Sequence, residues 1–133
     1  MNKRIYLSPP HMGEKEREYF TDAYDSNWVA PLGPNVDAFE EKMVDYLGMH
    51  NACALSSGSA GLHLALRIIG VTQGHIVLCP SLTFAASANV ILIEKAQPIF
   101  IDSDPKTWVM DLAACEKAMQ KYKPKALISV DLY

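Results

Sequence analysis

The first third of the chain carries two segments with the periodicity of amphipathic helices. Residues 14–24 place aromatic and small apolar side chains on one side and charged side chains on the other, which predicts a helix. A second helix is predicted over residues 36–47, followed by Gly48 as its C-terminal stop. Its apolar stripe consists of Val36, Phe39, Met43 and Leu47.

From residue 51 onward, short apolar runs alternate with helical periodicity. Strands are predicted over residues 51–55, 76–79, 98–101 and 126–130. Helices are predicted between them, over residues 59–69, 84–94 and 112–121. Short, continuously apolar strands that alternate with helices indicate a parallel sheet covered on both faces. The predicted fold class is therefore α/β.

The composition is that of a soluble globular protein. Half of the 133 residues are hydrophobic and 20% are charged, and the formal net charge is -3. This charge gives no electrostatic reason to expect nucleic acid or an anionic membrane as a partner. No apolar run reaches the roughly 18 to 20 residues of a membrane span, and the start lacks the apolar core of a secretory signal. We expect a cytoplasmic protein.

The cysteines and histidines do not suggest a metal site. Cys53, Cys79 and Cys115 are far apart in the sequence, and each has apolar neighbours. We therefore expect three buried, reduced thiols. The four histidines are equally scattered, so no metal is implied.

The most informative turn joins the predicted strand 51–55 to the best helix of the chain. It consists of small and hydroxyl side chains over residues 55–61. Exposed N–H groups and the dipole at a helix start favour an anion, above all a phosphate. A serine, Ser57 or Ser59, that merely caps the helix explains the same pattern, and the residues alone do not separate the two interpretations.

The next strand ends in a similar turn, at residues 80–86. Phe84 is predicted at the start of a helix on the ligand side of the sheet, where an aromatic ring could stack on a flat heteroaromatic ligand. Ordinary core filling is the commoner role of a lone phenylalanine.

Two further features have structural interpretations. The Asp102-Ser103-Asp104-Pro105 turn carries two carboxylates, but Asp and Pro are ordinary turn formers before a helix. His63 follows the apolar Leu62 in the helix after the phosphate turn, and we expect it to be packed or partly exposed rather than catalytic.

At these turns the sequence resembles the nucleotide-sugar aminotransferases of the DegT/StrS type, which are pyridoxal-phosphate (PLP) enzymes of fold type I. The resemblance covers essentially the whole chain, and its motifs occur in register. They are LSPPHMG at 7–13, SNWVAPLGP at 26–34, FE at 39–40, SSGSAGLHLAL at 56–66, PSLTFAASAN at 80–89, PIFID at 98–102 and ISVDLY at 128–133.

The resemblance implies a fold and a set of site residues. The chain would be the N-terminal part of the large domain of a fold type I transferase, with an arm and helices over 1–48 and the start of a mainly parallel, helix-flanked sheet over 49–133. The phosphate of pyridoxal 5'-phosphate would lie against Ser59 and Ala60, with Gly58 allowing the close approach, and its ring would lie against Phe84. Many relatives have tryptophan or tyrosine at that position. Residues near the sugar nucleotide would be Asn27, Trp28 and Tyr133.

The implied reaction moves nitrogen from an amino acid, glutamate or another donor, through the cofactor to the ketone of a nucleotide-linked sugar. The opening motifs look especially like members that aminate UDP-linked keto sugars for bacterial glycan assembly. In the family, the lysine that holds the cofactor and the carboxylate that protonates its ring lie beyond the position of Tyr133. We therefore expect an inactive fragment of a longer polypeptide that forms a homodimer, with some apolar faces left bare.

Three alternatives remain open at the level of sequence. Relatives become PLP-dependent sugar dehydratases when the lysine is replaced. A non-catalytic PLP-binding or dimerisation module would fit if the reading frame ended near Tyr133. A nicotinamide-binding domain fits least, because its glycine fingerprint and the acidic residue that follows it are not found.

Overall fold

The computed structural model describes residues 4–132 of the 133-residue chain. Its helices and strands, in chain order, are α1 (Lys15–Asp25), α2 (Pro34–Leu47), α3 (Gly58–Ile68), β1 (Ile76–Pro80), α4 (Ala86–Ile93), β2 (Gln97–Ile101), α5 (Leu112–Tyr122) and β3 (Ala126–Leu127). None of the helices within residues 4–132 is both long and apolar enough to cross a bilayer. Contacts divide the chain into two compact units, with the boundary between Ala54 and Leu55. The predicted single partial domain, with its sheet starting at residue 49, stays a prediction.

The first unit contains α1 and α2, both close to their predicted bounds. Pro34 occupies the first turn of α2, where its missing N–H costs no helical hydrogen bond. Gly48 ends the helix in the left-handed conformation at φ 62°. Neither helix has a buried residue, and Phe39 of the predicted apolar stripe is 54% exposed. The stripe of α2 is therefore present but largely uncovered.

The second unit is built on a three-stranded parallel sheet with the order β2-β1-β3. Strand β1 lies in the centre, and its residues Ile76–Pro80 pair in register with Gln97–Ile101 of β2. Strand β2 lies at the edge of the described sheet, and this suits Pro98. A proline has no N–H to donate, so it is tolerated where its nitrogen faces away from the neighbouring strand. The predicted α/β class, a parallel sheet with flanking helices, is confirmed.

Both faces of β1 are buried by helices, which explains its uninterrupted apolar sequence. Val77 and Cys79 point to a core cluster formed with α3 and α4, and Leu78 points to a second cluster formed with α5. Cys79 is a buried free thiol, as predicted, and burial raises its pKa. The first cluster consists of Leu66, Val71, Val77, Cys79, Val90, Ile91, Ala96 and Ile128, and the second of Leu78, Ile101, Met110, Cys115 and Ala118.

The prediction of a strand over residues 51–55 is wrong for the described structure, where this segment is irregular. A strand needs a neighbour that accepts and donates ladder hydrogen bonds. Here the N–H of Ala54 instead donates to the carboxylate of Glu40 over 2.7 Å. The same difference corrects the prediction for Cys53, which is exposed rather than buried, whereas the other two cysteines are buried as expected.

The last strand is shorter than the predicted range 126–130. After β3, the N–H of Ile128 still donates to the carbonyl of Leu78 over 2.9 Å. In a parallel ladder the next bond would come from the residue two positions after Leu78. That residue is Pro80, which has no N–H to donate, so the pairing stops there.

We expect truncation of Leu78 to weaken the second unit strongly, because this side chain is completely buried between β1 and α5. Leu78→Ala should lower the free energy of unfolding by about 2–5 kcal/mol through lost burial and the cavity left behind. Urea denaturation of the complete polypeptide, followed by circular dichroism, measures the change.

The matched control is Leu112→Ala, because Leu112 is 81% exposed at the start of α5. This control should stay within about 0.5 kcal/mol of the unmodified protein. Equal losses in the two variants would contradict the assignment of Leu78 to the core.

Candidate functional site

The predicted phosphate turn leads directly into α3 and is organised by Ser57. This residue is the N-cap, with extended backbone angles (φ -166°, ψ 162°), and its hydroxyl accepts a hydrogen bond from the N–H of Ala60 over 3.2 Å. The carbonyl of Ser57 accepts the N–H of Gly61 over 3.1 Å. The capping role is therefore real, and it fixes the direction in which the helix starts.

Capping by Ser57 leaves two backbone N–H groups beside it open. The N–H groups of Gly58 and Ser59 have no hydrogen-bond partner among residues 4–132, and both residues are exposed. A Cβ atom built on Gly58 would meet no atom within 4 Å, so the space beside this residue is open. Two free amides at the positive end of a helix dipole fit a phosphate. The amide of Ala60, the third predicted contact, is already donated to Ser57.

Phe84 lies in the segment that connects β1 to α4 and is 81% exposed. The prediction that it starts a helix is slightly wrong, since α4 begins at Ala86 with Ala85 as its N-cap. Local bonds hold the segment. The carbonyl of Phe84 accepts the N–H of Ser87 over 3.0 Å, and the hydroxyls of Thr83 and Ser87 lie 2.9 Å apart. The ring therefore does not fill the core and is free to contact a ligand.

The two parts of the predicted cofactor site belong to one unit and rest on one core. Helix α3, which begins with the open amides, contributes Leu66 to the first core cluster. Helix α4, which follows Phe84, contributes Val90 and Ile91 to the same cluster. The cluster therefore ties the amide end and the aromatic segment to the same face of β1.

The acidic turn after β2 is a structural turn, as expected. The carboxylate of Asp104 accepts the N–H groups of Lys106 and Thr107 over 2.8 and 2.9 Å. The carboxylate of Asp102 accepts the N–H of Ser103 over 2.8 Å. Among residues 4–132 no group of three or more His, Cys, Asp or Glu side chains is arranged to hold a metal ion.

The predicted substrate residues belong to the first unit or to the chain end. Asn27 has a left-handed backbone (φ 61°), and the N–H of Trp28 donates to the carbonyl of Ala23 over 2.8 Å. The indole of Trp28 covers Gly33, where an added Cβ would lie 2.7 Å from the ring. Tyr133 lies outside the described residues. The assignment of these residues to a sugar nucleotide stays a prediction.

The sequence did not indicate an ion pair between α3 and the end of α4. Nε2 of His63 lies within hydrogen-bond distance of Oε1 of Glu94, and Nε of Arg67 lies 3.7 Å from the same oxygen. The packed, partly exposed environment expected for His63 is confirmed. The spacing of His63 and Arg67 puts them on one face of α3. Their acidic partner could not be identified because it is 31 residues from His63 in the sequence.

The second unit is a helix-flanked parallel sheet with two open amides at one helix start, and comparison with known proteins identifies the family to which the chain belongs. Residues 10–133 match the model of the DegT/DnrJ/EryC1/StrS aminotransferase family. Because this match covers most of the chain, the chain belongs to that family.

Two curated relatives and one solved structure show the degree of similarity. EpsN of Bacillus subtilis (strain 168), provisionally named a pyridoxal phosphate-dependent aminotransferase, is 51% identical over 138 residues, which cover 100% of this chain and 36% of EpsN. GDP-perosamine synthase of Escherichia coli O157:H7 is 37% identical over 131 residues, with 98% of this chain and 36% of that protein covered.

The solved structure is Spr1654 from Streptococcus pneumoniae in its PMP-form, provisionally named a sugar aminotransferase. It superposes with a TM-score of 0.86 at 31% identity and covers 98% of this chain and 32% of its own. The chain therefore spans about a third of the length of these three proteins.

The pH dependence of stability tests the structural role of Asp104. The N–H groups of Thr107 and Lys106 lower the pKa of this carboxyl. A lowered pKa in the folded state stabilises the fold above the unfolded-state pKa of about 3.9, and the contribution is lost as pH falls through the folded-state value. Asp104→Asn should therefore lower the melting temperature at pH 7, and its difference from the unmodified protein should shrink below about pH 4.

The control is Asp45→Asn on the exposed side of α2, which should leave the pH profile of the melting temperature unchanged. A difference for Asp104→Asn that stays constant between neutral and acid pH would contradict the turn-stabilising role of the carboxylate.

Proposed function

We propose that this chain supplies the cofactor-phosphate site of a longer PLP-dependent aminotransferase that aminates a nucleotide-linked keto sugar. A UDP- or dTDP-linked 4-keto-6-deoxy sugar is the proposed substrate, for bacterial polysaccharide or glycan biosynthesis. The observation that carries the proposal is the pair of open amides at Gly58 and Ser59, in a chain whose residues 10–133 match an aminotransferase family. The name of GDP-perosamine synthase adds a GDP-linked sugar to the substrates worth assaying.

In this proposal each predicted cofactor residue has a physical task. The N–H groups of Gly58 and Ser59 and the hydroxyl of Ser59 bind the phosphate, while the small side chain of Ala60 leaves room beside it. Phe84 covers the pyridine ring, since its exposed ring offers a flat apolar surface. When bound, PLP supplies the electron sink that amino transfer requires. Asn27, Trp28 and Tyr133 are proposed to contact the sugar nucleotide.

The remaining parts of the active site are proposed to come from the rest of a longer polypeptide. These are the lysine that holds the cofactor and the carboxylate partner of the ring nitrogen. The amino donor is proposed to be an amino acid, glutamate in the first instance, and the complete enzyme is proposed to be a homodimer. The length of the relatives, about three times that of this chain, supports a longer parent protein.

The experiment that tests the function is an amine-transfer assay on the complete polypeptide. The purified protein is mixed with PLP, glutamate and a panel of UDP-, dTDP- and GDP-linked keto sugars. We expect a PLP absorbance band, 2-oxoglutarate release and an amino sugar detected by mass spectrometry. Loss of water from the sugar without nitrogen transfer would identify a dehydratase instead, and no PLP band at all would overturn the proposal.

A substitution at Gly58 tests the phosphate site without disturbing the fold. Because an added Cβ meets open space, both Gly58→Ala and Gly58→Asp should be tolerated by the surrounding structure. The carboxylate of Gly58→Asp would repel the phosphate, and we expect at least about a tenfold loss of PLP affinity. Equilibrium dialysis with PLP measures it.

Gly58→Ala is the matched control, since it adds the Cβ without the charge. It should lose much less affinity than Gly58→Asp, while the melting temperatures of the two apo-proteins stay close. Unchanged PLP affinity in the aspartate variant would place the phosphate elsewhere.

A further inference from the structure

An ion cluster connects the two helices that carry the proposed cofactor site. Oε1 of Glu94 receives the Nε2 hydrogen bond of His63 and lies 3.7 Å from Nε of Arg67. Glu94 is the C-cap of α4, and the other two residues lie one turn apart on α3. Only 10% of the Glu94 side chain is exposed, so its carboxylate depends on the hydrogen bond with His63 and on the nearby charge of Arg67 to offset its burial.

The cluster lies on helices whose starts bear the two parts of the site. Helix α3 begins at Gly58, five residues before His63, with the amides proposed for the phosphate. Helix α4 begins just after Phe84, whose carbonyl is bonded to Ser87 within the first turn of α4. A rotation or shift of α3 against α4 would therefore change the relation between the phosphate amides and the aromatic ring.

Apolar packing alone defines the orientation of α3 relative to α4 only weakly. The contacts of Leu66 with the cluster that includes Val90 and Ile91 hold α3 and α4 against the sheet, but the hydrophobic effect is non-directional. A charge-assisted hydrogen bond has a defined length and direction. The bond between His63 and Glu94 can set the register of the two helices, which the apolar contacts leave less well defined.

We infer that Glu94 and His63 are positioning residues that hold the amide end of α3 at the distance from Phe84 that the cofactor requires. This inference rests on the proposed function, because it assumes that the phosphate and the ring of one cofactor bind at these two places. Neither residue contacts the cofactor in this arrangement. The pair acts through the placement of α3 relative to α4.

The test compares a ligand that contacts both the α3 amides and Phe84 with a ligand that contacts the amides alone. Pyridoxamine 5'-phosphate (PMP) must contact the amides and Phe84 together, whereas inorganic phosphate needs the amides alone. The complete polypeptide, freed of cofactor, is titrated with each ligand by equilibrium dialysis, and inorganic phosphate is also measured as a competitor. The variants are Glu94→Gln, His63→Gln and the double variant, with Glu116→Gln on the exposed face of α5 as the matched control.

We expect each single variant to bind PMP about five- to tenfold more weakly, with unchanged affinity for inorganic phosphate. The double variant should lose no more than the larger single loss, because the two residues act as one unit. Glu116→Gln should bind both ligands as the unmodified protein does. Thermal unfolding of each apo-protein checks that the variants remain folded.

Other outcomes overturn the inference in distinguishable ways. PMP affinity that is unchanged, or that falls in parallel with phosphate affinity, would show that the pair does not set the relation between the two places. If Glu94→Gln fails to fold, the comparison of PMP and phosphate affinities is made on His63→Gln, because His63 is only half-buried. Failure of the unmodified protein to bind PMP would instead overturn the proposed function, and the positioning role with it.

Discussion

The burial of strand β1 on both faces is the constraint on which the second unit depends. Val77 and Cys79 point into one core cluster and Leu78 into the other, so a single five-residue strand is shared by both. The first cluster contains residues of the two helices whose starts carry the candidate site. Val77 and Cys79 thus share a core cluster with α3 and α4, whereas Leu78 faces α5 on the other side of the sheet. The apolar contacts that stabilise the second unit therefore also hold these two helices against β1.

The sequence predicted those elements whose signal lies within the element itself. The periodicity of α2 and the apolar run of β1 were sufficient, because amphipathic and doubly buried segments carry a local pattern. Residues 51–55 have the same apolar pattern and are still irregular, because a strand also requires a partner and Ala54 bonds to Glu40 instead. Periodicity cannot supply information about a partner.

The candidate site shows the same limit. The helix start at Ser57 and the glycine after it could be identified from neighbouring residues, since capping and open amides are local properties. The exposure of Phe84 could not, because an aromatic residue after a strand has the same local sequence whether it is buried or not. The contact of His63 with Glu94 depends on how α3 lies beside α4, which only the folded chain determines.

Pro80 has a consequence for the loop that follows it. On one side β1 continues its pairing with β2 as far as the bond from Ser81 to Ile101, while on the other side the absent proline N–H ends the ladder with β3. Pro80 therefore ends the pairing of β1 with β3, while the pairing with β2 continues for one more residue. Beyond it the backbone leaves the sheet, and Phe84 is exposed to solvent, whereas Thr83 is half-buried with its hydroxyl beside that of Ser87. A residue with an N–H at this position could donate to the carbonyl of Ile128 and extend the ladder with β3 by one bond.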